Sequence, residues 1–139
     1  FYIIHLYCFM DCVFCKIVAK EVPAEIVYED KEFVSFLDIN PVQFGHVLII
    51  PKEHFPYVGD VPDRVIGEIF VKAKKLIPVI KDAMKADYVS VSVVGLDVPH
   101  FHVHLIPRHF NDGLASFWPT KKYSGGEMKD VAKKIRALL

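Results

Sequence analysis

The sequence predicts an α+β fold with an antiparallel sheet of about five strands, one long helix and one short C-terminal helix. Three observations carry this reading. Short apolar runs, alternating or unbroken, are separated by compact polar, proline or glycine turns. A single long stretch from Pro62 to about Ala86 carries apolar residues at intervals of three and four. The stretch from Val98 to Arg108 alternates three histidines with large apolar side chains, as a strand buried on one face does.

In chain order, Asp11-Cys12-Val13-Phe14-Cys15-Lys16-Ile17-Val18 opens the domain with a Cys-x-x-Cys. Glu21-Val22-Pro23-Ala24 then breaks the pattern before a first strand, Ile26-Val27-Tyr28. The polar turn Glu29-Asp30-Lys31-Glu32 joins that strand to Phe33-Val34-Ser35-Phe36-Leu37 as a hairpin. After Asp38-Ile39-Asn40-Pro41, Gly45 releases the chain into Val47-Leu48-Ile49-Ile50, whose unbroken apolar run marks a buried strand closed by Pro51-Lys52-Glu53-His54. The long helix carries Val65, Ile66, Ile69, Phe70, Ala73, Leu76, Ile77, Ile80 and Met84 on its apolar face. Asp60 or Asp63 is placed to cap it, and Pro78, lacking an amide donor, should kink or break it. Tyr88-Val89-Ser90-Val91-Ser92-Val93-Val94 reads as a strand, and Gly95 to Pro99 turns it back to pair antiparallel with the histidine strand. From Arg108 to Gly126 the chain is loop-like and holds the one tryptophan, Trp118; Met128, Val131, Ile135 and Leu138 then mark the C-terminal helix, basic on its other face.

Bulk composition narrows the function. A chain of 139 residues that is 53% hydrophobic is one domain's worth, expected over residues 10–139. With 17 basic and 17 acidic residues the formal net charge is +0, which gives no field for wrapping nucleic acid or adhering to an acidic membrane. An anion must therefore be held locally. Residues 1–9 are almost wholly apolar but lack the basic leader of a signal peptide and are too short to span a bilayer. They read as an extension outside the domain ahead of Met10, against the alternative of a small membrane-facing or partner-binding arm. Three cysteines with one close pair make no disulfide framework, so a reducing cytoplasm is the expected compartment.

The histidines suggest chemistry. In a strand, Phe101, Val103 and Leu105 face a core while His100, His102 and His104 share the opposite face. Alternate residues stand roughly 7 Å apart, putting His100 and His104 about 13 Å apart, too far for all three rings to meet on one metal. A row of donors and one nucleophile along an extended, charged substrate fits better. A merely polar outer face is the bland reading, but three of seven histidines falling within five residues argues against it.

The His-x-His-x-His segment followed by Leu-Ile-Pro-Arg resembles the signature of the histidine triad (HIT) superfamily of nucleotide hydrolases and transferases, bacterial type with a Cys-x-x-Cys start. The resemblance runs from about Met10 to Arg108 and includes Cys-Val-Phe-Cys-Lys-Ile, Pro-Ala-Glu-Ile-Val-Tyr-Glu-Asp, Phe-Leu-Asp-Ile-Asn-Pro and Gly-His-Val-Leu-Ile-Ile-Pro-Lys in family order. It implies a HIT-like fold, commonly a homodimer, and a purine nucleotide substrate such as a phosphoramidate or a dinucleoside polyphosphate, attacked at the α-phosphorus. By the same resemblance His102 is the nucleophile, forming a nucleotidyl-histidine that water hydrolyses, His104 donates to a phosphate oxygen, and His100 supports the edge of the site. Imidazole suits the task because it is largely neutral at physiological pH and leaves readily once phosphorylated. Its second nitrogen needs an acceptor, such as a backbone carbonyl, to aim the first.

The resemblance also places Phe14, Ile17 and Ile39 against the base and Asp38 on the ribose hydroxyls. Phe14 and Ile17 could equally be core, and Asp38 a turn former. Cys12 and Cys15 could be zinc ligands, a redox pair or inert thiols; some bacterial members complete a structural zinc site with residues that correspond here to His54 and His100. No catalytic cofactor is implied. One departure stands out: the family's Gly-Gln-Ser or Gly-Gln-Thr before the triad is replaced by Gly95-Leu96-Asp97-Val98-Pro99. Asp97 must face away, pair with a cation such as Arg108, or be protonated. If Leu96 and Asp97 disable leaving-group departure, the alternative is a non-catalytic nucleotide- or zinc-binding regulatory module.

Overall fold

A computed structural model describes residues 11–115 and 119–139. Residues 1–9, Met10 and Trp118 lie outside the described residues. The elements are α1 (Val13–Val18), β1 (Ile26–Glu29), β2 (Phe33–Leu37), β3 (Val47–Pro51), a 3₁₀ turn (Val58–Asp60), α2 (Asp63–Met84), β4 (Tyr88–Ser92), β5 (Val103–Arg108) and α3 (Glu127–Arg136). The five strands form one antiparallel sheet in the order β1-β2-β3-β5-β4. The α+β class and the antiparallel sheet are as the sequence predicts.

Alternation divides the central strands between two cores. Val47, Ile49, Val103 and Leu105 face α2 and meet Val65, Ile69, Ala73 and Ile80, with Phe33, Val61 and Phe101 completing the layer. Val34, Phe36, Leu48 and Ile50 face the other way, toward α1, and pack on Cys12, Phe14, Cys15 and Ile17. Burying a side chain such as Ile49, Ile69 or Leu105 completely contributes on the order of 1.5–3 kcal/mol. The sheet is therefore a rigid plate sandwiched on both faces. Its open side strands are β1 and β4.

Four local expectations need correction. Of the kink or break expected at Pro78, the break does not occur, since helix α2 runs through it; Pro78 and Lys74, whose carbonyl loses its partner, are both exposed, so water can satisfy that carbonyl. Neither predicted aspartate caps α2: Asp63 is its first helical residue, and Asp60 accepts from the Tyr57 amide at 3.3 Å. Strand β4 ends at Ser92, since β5 offers its ladder only as far as His104. Phe70 lies on the solvent side of α2. In the first hairpin, the Asp30 carboxylate accepts from the amides of Glu32 and Phe33, the physical basis of the predicted turn. Among the described residues no helix is long and apolar enough to cross a membrane.

Gly45 leads into β3 with φ +90°, and a Cβ there would stand 2.6 Å from Met84 Cγ and 3.2 Å from Pro107 Cγ. Gly45→Ala should lower unfolding free energy by about 1–2 kcal/mol from the left-handed backbone alone, measured as a shift of the urea midpoint at constant slope; an unshifted midpoint would refute this account of the turn.

Candidate active site and metal cluster

The site grows out of the join between β3 and β5. Leu48 pairs with His104 across the ladder, so His104 projects from the sheet face that α1 covers. His100 and His102 precede β5, contrary to the prediction of one continuous histidine strand. Pro99 has no amide to donate, the His100 amide turns back onto Val98 O at 2.8 Å, and the Phe101 amide bonds Phe55 O at 2.6 Å, so the ladder starts only at Val103. The consequence is a division of the three rings. His102 and His104 lie side by side with centroids 4.8 Å apart, whereas His100 turns into a separate buried cluster.

That cluster brings together Cys12, Cys15, His54 and His100, the four residues singled out from sequence as metal ligands. Cys12 and Cys15 come from the start of α1, where Cys12 Sγ also accepts from the Cys15 amide. His54 comes from the segment after β3. The contacts are Cys12 Sγ to His100 Nδ1 3.4 Å, Cys15 Sγ to His100 Nδ1 3.6 Å, Cys15 Sγ to His54 Nδ1 3.3 Å, and His54 Nδ1 to His100 Nδ1 3.3 Å. Tetrahedral zinc, with bonds of about 2.0–2.1 Å to nitrogen and 2.3 Å to sulfur, requires edges of about 3.3 Å between nitrogens and about 3.5 Å between nitrogen and sulfur. The donor set could hold such an ion. His100 Nε2 lies 2.8 Å from Pro51 O, an acceptor that cannot donate, so the proton sits on Nε2 and the Nδ1 lone pair faces the thiols. Burial, with the charges of His54 and His102, outweighs the Pro51 hydrogen bond and pushes His100 down to about 4.

Next to the cluster is a cavity of about 290 Å³ whose walls include Phe14, Ile17, Phe36, Leu48, His102 and His104, with Asp38, Ile39 and Asp97 also lining it. Thus His102, His104, Phe14, Ile17, Asp38 and Ile39 line one space, whereas His100, also expected to support the site, does not. Phe14 is both wall and core: it is buried and meets His100 and His102 edge-on, at 5.8 and 5.2 Å between centroids. Ile39 is 89% exposed and stands at the rim. Asp38 Oδ1 accepts from the Asn40 amide at 2.8 Å, so the turn-forming role is real, and it engages only one carboxylate oxygen.

The two cavity imidazoles are oriented differently. His102 Nδ1 lies 2.7 Å from His100 O; a carbonyl can only accept, so Nδ1 carries a proton and Nε2 is the nitrogen left with a lone pair in the neutral ring. His104 Nδ1 instead meets His46 Nε2 at 3.0 Å, and His104 Nε2 is buried with no hydrogen-bond partner among the described residues. Burial, reinforced by His102 and His46 and opposed by Asp38 and Asp97, pushes His104 down to about 4. His46 was not singled out from sequence. The sequence signal was only its place two residues before Leu48, and the register that pairs Leu48 with His104 comes from the structure.

Asp97 does not pair with Arg108. Arg108 is bound through Nε and a terminal nitrogen to Asp112, at 2.6 and 3.0 Å, and to the carbonyls of Leu114 and Ala115. Asp97 is exposed at the cavity, and Leu96 is 83% exposed beside it. A larger groove of about 680 Å³ between the β1–β2 turn and α2 is charged, but its main charges already pair as Arg64 with Glu32 and Glu68, and Lys72 with Asp30.

Comparison with known proteins shows the family and the fold. The HIT domain model matches residues 19–111. A HIT-like protein of Methanocaldococcus jannaschii is 37% identical over 130 residues, covering 90% of this chain and 98% of its own. An adenosine 5′-monophosphoramidase of Saccharomyces cerevisiae is 36% identical over 134 residues, covering 92% of this chain and 82% of its own. Among solved structures, a HIT family member from Bacillus subtilis superimposes with TM-score 0.81 at 32% identity, covering 93% of this chain and 97% of its own. A zinc-bound histidine triad family protein from Mycobacterium smegmatis gives TM-score 0.73 at 28% identity, covering 94% and 99%.

The buried imidazoles set a pH window for stability. His104 stays neutral to about 4 in the fold, and burial lowers His46 in the same direction despite Asp38, while an unfolded imidazole ionises near ~6.5. Between these values the unfolded chain binds more protons, so stability is full above about pH 6.5 and falls as pH drops toward 4. Urea midpoints taken across that range should fall with pH, and less steeply for His104→Gln; an unchanged slope in the variant would assign the loss to other groups.

Proposed function

Because this chain belongs to the histidine triad family, we propose that it is a nucleotidyl hydrolase or transferase acting at the α-phosphate of a purine nucleoside 5′-phosphate derivative. The observation that carries the reading is the complementary pair of imidazoles in one cavity: His102 with a lone pair at Nε2, and His104 with an unpartnered buried Nε2. A phosphoryl group between them meets a nucleophile on one side and a donor on the other. In the proposed reaction His102 Nε2 forms a bond to the α-phosphorus while the bond to the leaving amine or phosphate breaks. Water then cleaves the phosphorus–nitrogen bond, releasing the nucleoside monophosphate and restoring the imidazole. Phe14, Ile17 and Ile39 would hold the base, and the Asp38 oxygen not used by the turn would accept from the ribose. His100 acts from the edge through its carbonyl.

The kinship with a phosphoramidase supports an amine as leaving group, and Asp97 at the cavity supports it independently. A carboxylate there disfavours a departing polyphosphate and tolerates an amine. A homodimer fits β4 as an open edge strand, and a cytoplasmic location fits the thiol-rich cluster.

Incubation with adenosine 5′-phosphoramidate should release AMP through a quenchable nucleotidyl adduct on His102, faster than a dinucleoside polyphosphate is cleaved. His102→Ala should lose turnover by at least about 10³-fold; turnover surviving that change would overturn the nucleophile, and nucleotide binding without turnover in the parent protein would favour a regulatory binding module.

The Cys12, Cys15, His54 and His100 cluster is proposed to hold structural zinc, supported by its tetrahedral edge lengths and by the zinc-bound relative. Bound there, zinc would supply a cross-link between α1, the segment after β3 and the approach to β5. Elemental analysis should give one zinc per chain, with loss of metal and a lower melting temperature in Cys12→Ser; equal zinc content in the variant would reject the site.

A further inference from the structure

The second half of the proposed reaction, on which this inference rests, needs a base. Water must cleave the bond between phosphorus and His102 Nε2, and displacement at phosphorus is in line, so the water enters from the side that the leaving amine has vacated, opposite the histidine. A group that takes the water's proton has to stand on that side. Asp38, Asp97, His102 and His104 are the side chains of the cavity wall that can accept a proton. His102 carries the phosphorus, and its Nδ1 is already protonated against His100 O at 2.7 Å. In the proposed reaction His104 donates to the phosphoryl oxygens. Asp38 holds the Asn40 amide on Oδ1 at 2.8 Å, and its other oxygen is the proposed ribose acceptor. Among the described residues of the wall, that leaves Asp97.

We propose that the Asp97 carboxylate is the general base that orients and deprotonates the water attacking the nucleotidyl-histidine, and that it thereby commits the site to hydrolysis over transfer. Asp97 lies in the turn between β4 and β5 and lines the same cavity as His102 and His104. Its charge reaches His104: burial pushes that imidazole down, and Asp97 opposes the shift. Arg108, the cation nearest in sequence, is bound to Asp112 and to two carbonyls, and no lysine or arginine is among the described lining residues. Asp97 is exposed and has no hydrogen bond or ion pair among the described residues, so its oxygens are open to water. In the step, the water oxygen forms a bond to phosphorus as the bond to His102 Nε2 breaks. The bonding pair returns to Nε2, and the water's proton passes to Asp97 and then to solvent. A weak base suffices, because a phosphorylated imidazole leaves readily and an oriented carboxylate also holds the nucleophile in place. The same negative charge repels anionic acceptors that would otherwise take the nucleotidyl group.

Replacing the carboxylate by its amide keeps the size and removes the base. Asp97→Asn should form the nucleotidyl-histidine from adenosine 5′-phosphoramidate at nearly the parent rate, yet the adduct should decay to AMP about 10²-fold more slowly, the low end of what a general base contributes. Intact-mass measurements after a denaturing, alkaline quench follow both steps in a single turnover. Azide, an anion with no proton to lose, separates loss of a base from a distorted site. It should discharge the adduct of Asp97→Asn to adenosine 5′-phosphorazidate, whereas in the parent protein water should win over azide. Thermal melts of the two proteins should coincide, since Asp97 is exposed. An adduct that decays equally fast in both proteins, slower formation with unchanged decay, or a variant adduct that azide fails to discharge would overturn the proposal. Phosphorazidate formed as readily by the parent as by the variant would overturn the commitment to hydrolysis. A parent protein that forms neither adduct nor AMP would overturn the enzymatic reading and the proposal with it, an outcome distinct from an active parent whose Asp97→Asn variant is unchanged.

Discussion

The antiparallel pairing of β3 with β5 is the constraint on which the rest depends. It lies at the centre of the strand order and joins the β1–β2 hairpin to the strand pair that follows α2. Three registered pairs, Val47 with Leu105, Leu48 with His104 and Ile49 with Val103, decide which face every functional side chain meets. A slip of one residue would move His104 from the α1 face to the core under α2 and bring Val103 and Leu105 out of that core. The same apolar contacts that give the domain its stability therefore hold the imidazole in place. Burial of Ile49, Val103 and Leu105 on one face fixes the register that the polar face needs.

What the sequence disclosed follows from which effects are periodic. The unbroken apolar run Val47–Ile50, the alternation through Phe101–Leu105 and the three- and four-residue spacing from Val65 to Met84 gave the sheet and the long helix, and the alternation alone sorted side chains between faces. The Cys12, Cys15, His54 and His100 grouping came through the family resemblance, because no period links residues separated by 88 positions, as Cys12 and His100 are. Where strand pairing stops depends on partners rather than on period. His100 and His102 alternate as strand residues do, yet Pro99 cannot donate, and the Phe101 amide bonds to Phe55 instead of to the ladder. Pro78 follows the same logic, since local propensity forbids what an otherwise well-packed amphipathic helix tolerates on its wet side. His46 was passed over because its place beside His104 emerges only once Leu48 is paired with His104 across the sheet.

Electrostatics at the site is managed without a permanent cation among the described lining residues. The chain has no net formal charge, and the cavity that would receive a phosphate has no lysine or arginine among its lining residues. Arg108, the nearest basic residue to the triad in sequence, is committed to Asp112 and two carbonyls. Polar recognition falls instead to two imidazoles: burial holds His104 neutral to about pH 4, and a backbone carbonyl fixes the proton on His102 Nδ1. Such donors cost little reorganisation during reaction, since the backbone has already oriented them.

The division of the histidines has a further physical consequence. His100 joins two sites with one residue: its ring belongs to the Cys2His2 cluster, and its carbonyl accepts from His102 Nδ1 at 2.7 Å. Pro51 O fixes the His100 ring from behind, so β3 anchors the cluster just as it anchors His104. Under the proposed function, a metal holding His100 would restrict the backbone from which the nucleophile takes its orientation, without touching the substrate. A loosened cluster would then misalign His102 before it unfolded the domain, because orientation fails with displacements much smaller than those that break a core. On that proposal the histidine stretch would serve as two coupled devices with a backbone carbonyl between them: a buried clamp at His100 and an oriented pair at His102 and His104.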